Sequence, residues 1–214
     1  MDTVWVLGDQ LNRDIGPLRD ADPATTRILL VESAAKLASK RWHRQRAHLV
    51  LAGLRRLAGE LRSDGFLVDH RRAPSLTAGL HAHVTDHEPA RVRAMEPASW
   101  DGRELLEGLG VDLSPNEQFL CHPTEFADWA GERRTLRMED FYRWQRRRLG
   151  YLMDGDEPAG GRWNFDADNR EPPPRDGRSW PEPLRFPLDE LDRSVLADLP
   201  DGLWGAPPTG ERYE

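Results

Sequence analysis

Cysteine is nearly missing from this sequence: Cys121 is the single one in 214 residues. That excludes a disulfide framework, and it excludes a metal centre held by several cysteines of this chain. Long apolar runs are missing too, and none approaches the roughly 20 residues of a membrane span. No charged-then-apolar leader opens the chain, because the N-terminus runs straight into a candidate strand. These two absences predict a cytoplasmic protein without a membrane partner. Basic charge is not in excess: 30 Lys and Arg against 37 Asp and Glu give a net charge of −7. Phosphate contacts need clustered cations, so a stand-alone nucleic-acid binder is disfavoured, although a local basic face stays open. Hydrophobic content is only 38% and mean hydropathy is −0.72, which predicts a poorly packed segment somewhere in the chain. There is no internal repeat, and no Ser/His/Asp or Cys/His nucleophile arrangement can be argued. No Gly-x-Gly-x-x-Gly follows the first apolar run, so a dinucleotide pyrophosphate site has no support. The length suits one sizeable domain with an appendage.

What is present is organised around Thr3–Leu11. Val4, Trp5, Val6 and Leu7 form a short apolar run that stops at Gly8. Such a run fits a strand buried on both faces, central in a parallel sheet. Further strands are expected at Arg27–Val31, Phe66–His70, Arg91–Met95 and Val111–Leu113. Helices are expected between them, at Trp42–Arg62, Ser75–His87 and Ser99–Leu109. The alternation reads as βαβ units and hence an α/β, Rossmann-like fold with a five-stranded parallel sheet flanked by helices. Two more helices, Pro123–Ala130 and Met138–Leu149, follow, and the second mixes aromatics with Arg143, Arg146, Arg147 and Arg148. From Glu171 onward the chain holds nine of its seventeen prolines. This is the expected poorly packed segment, an extended spacer. The predicted division is therefore an α/β domain over 1–150 and a Pro-rich linker segment over 151–214.

Three blocks carry a resemblance. They are Gly160–Arg170 (Gly-Gly-Arg-Trp-Asn-Phe-Asp-Ala-Asp-Asn-Arg), Gly8-Asp9-Gln10-Leu11, and Met138-Glu139-Asp140-Phe141-Tyr142. Together they resemble the photolyase-related proteins of bacteria, the iron–sulfur branch of the cryptochrome/photolyase family. The resemblance runs in order over essentially the whole chain. It implies a light-driven enzyme that repairs UV photoproducts in DNA. An N-terminal α/β domain would hold an antenna chromophore, a ribityllumazine, and a helical domain would hold FAD and a four-cysteine iron–sulfur cluster. This chain stops at Glu214, where the linker should meet the helical domain. FAD, the cluster and contact with DNA are therefore expected only in that missing domain, truncated away or encoded separately. The alternative is a stand-alone small-ligand-binding or interaction module. A small nucleotide-binding enzyme that reuses the sheet is a third reading.

With strand order 3-2-1-4-5, the ligand crevice lies between the loops after the first and fourth strands. Gly8, Asp9 and Gln10 then face Glu96, and Glu32 borders the same region. Asp9 or Glu32 could accept hydrogen bonds from ribityl hydroxyls or a ring N–H, or simply serve turns and caps. His43, which opens the long helix, is a ligand candidate or a surface residue. The resemblance implies an acidic residue shortly after the second strand, facing the lumazine. Lys36 stands there instead, which predicts weakened lumazine binding. His83 and His87, with Asp86, have the i,i+4 spacing of a zinc site, but a solvated helix face is the expected reading and no metal is assigned. Trp163 and Phe165 are expected to anchor the linker against the α/β domain.

Overall fold

Trp5 and Leu7 pack into one apolar cluster, while Val4 and Val6 pack into the other. That alternation is why β1 (Asp2–Trp5) sits in the middle of the sheet in this computed structural model. The structure describes residues 1–170, 172, 175–178, 181, 184 and 186–209. β2 (Thr26–Ser33), β3 (Leu67–Ala73), β4 (Val92–Met95) and β5 (Asp112–Ser114) complete a five-stranded sheet of order β3-β2-β1-β4-β5. All four pairings are parallel, as the βαβ reading requires. On β2, Ile28 and Leu30 join one cluster and Leu29 and Val31 the other, each essentially buried.

Short helices α1 (Gly16–Arg19) and α2 (Ala34–Ala38) sit in the polar loops. The long α3 (Arg44–Ser63) presents Ala47, Leu51, Leu54, Ala58 and Leu61 to the first cluster. α4 (Leu76–His87) and α5 (Trp100–Gly108) cover the second. Each begins where a serine can accept a hydrogen bond from a backbone N–H: Ser75 from Ala78 and Ser99 from Gly102.

The chain divides into two compact units, and the division differs from the expected 1–150 and 151–214. The first joins residues 1–118 to the described residues of 183–214; the second is 119–182. The C-terminal residues of the first unit are not the extended spacer expected. α6 (Pro123–Ala130) and α7 (Met138–Leu149) belong to the second unit, and α8 (Glu190–Asp198) to the first. α8 packs on α3, with Val195, Leu199 and Leu203 buried in the same cluster. Its N-terminus is closed by a reciprocal pair, in which Asp189 and Asp192 each accept the other's backbone N–H. The prolines misled because they flank this helix, at Pro187 and Pro200, rather than interrupt it. Pro173, Pro174 and Pro183 lie outside the described residues.

In the second unit, Phe126, Trp129, Phe141 and Trp144 bring α6 and α7 together, with ring centroids from 5.0 Å (Trp129–Phe141) to 6.1 Å (Trp129–Trp144). Arg146 is buried and donates to Tyr142 Oη (2.9 Å) and to the carbonyls of Trp163 (3.0 Å), Tyr151 (3.2 Å) and Leu152. It thereby organises the loop that carries a small hairpin of β6 (Met153–Asp154) and β7 (Glu157–Pro158). Trp163 lies under the guanidinium of Arg147, 4.5 Å from its ring centre, with Arg143 and Arg146 each at 5.3 Å. Phe165 is 39% exposed beneath Arg162. Trp163 thus packs by cation–π contacts on α7, which falls within the 1–150 expected for the α/β domain, whereas Phe165 is not buried as an anchor would be.

The docking of α8 generates a stability prediction. Leu199→Ala should cost about 2–5 kcal/mol, as for other buried leucines. Urea unfolding of the whole chain reads this as a lower midpoint, and an unchanged midpoint would mean that the C-terminal segment is a loose spacer after all.

Candidate functional site

Three residues beyond β1, Gly8 is tightly placed: a Cβ there would lie 3.1 Å from Val50 Cγ1. Two residues on, the Gln10 side chain is buried and turned across the crevice. Its Nε2 donates to the carbonyls of Met95 (3.3 Å) and Glu96 (2.9 Å), tying the loop after β1 to the end of β4. Asn116 Nδ2 donates to the same Glu96 carbonyl (2.8 Å), and Gln118 Nε2 to the Asp9 carbonyl (2.6 Å). Three amide side chains therefore stitch the loops that strand order brings together. The Asp9 side chain is exposed at the rim. Glu96 faces Arg103, 3.4 Å from its Nη2.

Glu32 is at the end of β2, but its carboxylate is not open to a ligand. Arg55 donates to both its oxygens (2.7 and 2.9 Å), and His70 Nε2 donates to Oε1 (2.9 Å). Arg55 and Arg72 reach on to Asp198 of α8, at 2.7 and 2.6 Å. Burial opposes the charge on Glu32, yet the hydrogen bonds from Arg55 and His70 prevail and hold its carboxyl at about 2, against an ordinary 4.5. The same bond to Glu32 holds Arg55 above its usual range, and Arg55 in turn holds Asp198 below the usual carboxylate range. Arg56 adds bonds to Asp189 (2.7 Å) and Asp192 (2.9 Å).

Lys36 is exposed on α2, and its backbone carbonyl accepts from Trp42 Nε1 (3.0 Å). His43 caps α3 by accepting from the backbone N–H of Gln45 through Nδ1, and its ring meets Trp204 edge-on at 4.5 Å. Gly205 is needed beside it, because a Cβ there would overlap the His43 ring. The seven expected site residues thus fall into three places. Gly8, Asp9, Gln10 and Glu96 share the crevice, Glu32 belongs to the charge network under α8, and Lys36 and His43 flank the start of α3. Asn116 and Gln118 were missed, although they follow the fifth strand, where the same topological rule looks for ligands. Arg55 and Asp198 were missed: Arg55 falls between the apolar positions of the long helix, and Asp198 falls in the stretch expected to be an extended spacer.

A wide cleft of about 550 Å³ lies at the other end of the sheet, lined by Asp2, Asp20, Asp22, Arg91 and Arg93 among others. No helix among the described residues is long and apolar enough to cross a membrane.

Comparison with known proteins gives two findings. The family described as deoxyribodipyrimidine photo-lyase-related protein matches residues 4–203. A (6-4) photolyase of Agrobacterium fabrum is 35% identical over 205 residues, covering 90% of this chain. The chain spans about 40% of that relative's length.

The Glu32 network sets a pH dependence. A folded pKa lowered to about 2 stabilises fully above the ordinary 4.5 and is lost as pH falls from 4.5 toward 2. At roughly 1.4 kcal/mol per pH unit the contribution is about 3 kcal/mol. Glu32→Gln should lower stability at neutral pH by about 3–5 kcal/mol, by leaving Arg55 buried without its main partner. It should also flatten the loss of stability below pH 4.5. Chemical denaturation across that range checks both, and an acid limb of undiminished slope in the variant would contradict the assignment.

Proposed function

Because the chain belongs to the deoxyribodipyrimidine photo-lyase-related family, we propose that these 214 residues are the antenna-type α/β part of a photolyase-related protein and carry out no DNA repair by themselves. The observation that carries this reading is the extent of the match. It runs through the whole α/β fold, yet accounts for about 40% of the (6-4) photolyase it resembles. A four-thiolate cluster needs ligands that Cys121 alone does not supply. FAD, the iron–sulfur cluster, contact with DNA and light-driven repair are assigned by this reading to a helical domain, joined to this chain or separate from it.

The residues at the crevice fit a ribityllumazine poorly. The Gln10 amide is spent on two backbone carbonyls, and Glu32 is held by Arg55 and His70. That leaves the exposed Asp9 carboxylate as the acceptor for ribityl hydroxyls or a ring N–H. Lys36 adds a positive charge where the resemblance implies an acid, and losing one charged hydrogen bond costs about 1.5–3 kcal/mol. Such a loss weakens binding about ten- to a hundred-fold. A second reading, an interaction module, is favoured by the apolar side chains that the second unit exposes. Phe119 is 59% exposed, Leu120 61%, Leu136 52% and Met138 79%.

Titration with ribityllumazine, followed by fluorescence, tests the proposal. The unaltered chain should bind more weakly than micromolar, Lys36→Glu should bind about tenfold tighter, and Asp9→Ala should weaken what remains. Purified protein should show neither flavin nor cluster absorbance. Submicromolar binding by the unaltered chain, or a yellow-brown preparation with stoichiometric iron, would overturn this account. Binding by neither the unaltered chain nor Lys36→Glu would favour the interaction module.

A further inference from the structure

Residue alternation on β3 divides its polar side chains between the two faces of the sheet. His70 turns to Glu32 and the α3 side, while Asp69 and Arg71 turn to α4. α4 answers with His83 and His87, one helical turn apart and on the same face. The solvated helix face expected for these histidines is not what the structure shows. His83 is completely buried, and Asp69 rather than Asp86 joins the pair. We propose that Asp69, His83 and His87 form a binding site for a divalent transition-metal ion of the zinc type, on the α4 face of the sheet and away from the crevice.

The donor atoms converge. One donor atom from each of Asp69, His83 and His87 lies within 4.8 Å of the other two. His87 Nε2 is 3.3 Å from Asp69 Oδ2, and His83 Nδ1 is 2.6 Å from the same oxygen. Ligand atoms about 2.0–2.1 Å from a tetrahedral ion stand roughly 3.3 Å apart. The Asp69–His87 pair already has this spacing, the Asp69–His83 pair reaches it when an ion replaces the proton between them and the two atoms move apart by about 0.7 Å, and the third pair, between the two histidines, lies within 4.8 Å and closes on the ion. The two rings are 5.0 Å apart at 63°, so neither blocks the other.

The surroundings suit the exchange. His83 Nε2 is 2.8 Å from Thr3 Oγ1. A hydroxyl both donates and accepts. Without an ion, Thr3 donates to Nε2 while Nδ1–H donates to Asp69. With an ion on Nδ1, Nε2–H donates to Thr3, the outer partner that fixes a ligating histidine's tautomer. Burial holds the His83 imidazole below its ordinary range. Burial alone would raise the Asp69 carboxyl, but bonds from His83 and Arg71 hold it below the usual range, so the anionic ligand is present. Arg71 is the competing cation, with Nε 2.6 Å from Asp69 Oδ2. Its Nη2 is already bonded to Asp86 (2.8 Å), which retains the guanidinium when the ion takes its place at Asp69. Two imidazoles and one carboxylate suit zinc, nickel or copper rather than magnesium or calcium. His87 is partly exposed, so ions enter from that side and a water completes the coordination.

The test uses the full chain, stripped with a chelator and titrated with Co2+, followed by displacement with Zn2+. One ion per chain is expected, with the strong visible bands of tetrahedral cobalt and a higher melting temperature with either metal. His87→Ala, at the accessible edge, should weaken binding tenfold or more on the scale of lost metal contacts, while its metal-free melting temperature stays close to that of the unaltered chain. Asp69→Asn should also lose the cobalt bands. His81→Ala, on the exposed face of the same helix, should change nothing. Equal Zn2+ affinity in the unaltered chain and His87→Ala, or no cobalt bands from the folded unaltered chain, would overturn the proposal.

Discussion

Strands buried on both faces make unpaired polar groups costly, and this constraint shapes the α/β unit. β1 and β2 obey it by being apolar on both sides over Val4–Leu7 and Ile28–Val31. Polar side chains are then concentrated at strand ends and on the outer strands. The buried carboxylates and the buried amide bring partners with them. Gln10 brings two carbonyls, Glu32 brings Arg55 and His70, and Asp69 brings Arg71 and His83. The chemistry of this protein is laid out by where the sheet permits charge.

Glu32 shows how far one such charge reaches. A carboxylate at 7% exposure is tolerable only with cations nearby, and Arg55 is itself nearly buried, so it needs a second anion to balance it. Asp198 of α8 supplies that anion and shares it with Arg72. The charge on β2 thus selects where α8 docks, while Val195 and Leu199 supply the apolar area that holds it. Ion pairs of this kind add little net stability against a well-packed apolar alternative. Their effect is on placement: a shifted α8 would strand Arg55.

The sheet was legible in the sequence because its signals are local. Apolar runs ended by Gly8 or by Glu32-Ser33 mark strands, and helical spacing in α3 marks the layer above them. The strand order was legible through the family resemblance and the topological rule together. α8 was hidden because nine prolines in the stretch outweighed the spacing of Leu191, Val195 and Leu199. The site was harder to read, since the side chains at issue find partners far along the chain: Glu32 with Asp198's neighbour Arg55, Thr3 with His83, and Gln10 with Glu96. His83 was read as solvated because an i,i+4 pair looks the same whether its helix face meets water or a buried aspartate.

Family and site chemistry then pull in different directions. The family match gives the ancestry of the sheet and strand order gives the position of its crevice, and neither decides whether a ligand is held there. That depends on a competition between internal and external hydrogen bonds. For a heterocycle to use the Gln10 amide, Gln10 must release the carbonyls of Met95 and Glu96, and each buried acceptor left unpaired costs about 1–3 kcal/mol. For it to use Glu32, Arg55 must lose its partner, at a greater cost. A ligand contact of ordinary strength does not repay either exchange. On the proposed reading, a chromophore would therefore compete with the bonds that close the crevice, whereas the exposed Asp9 at the rim holds its carboxylate outside them.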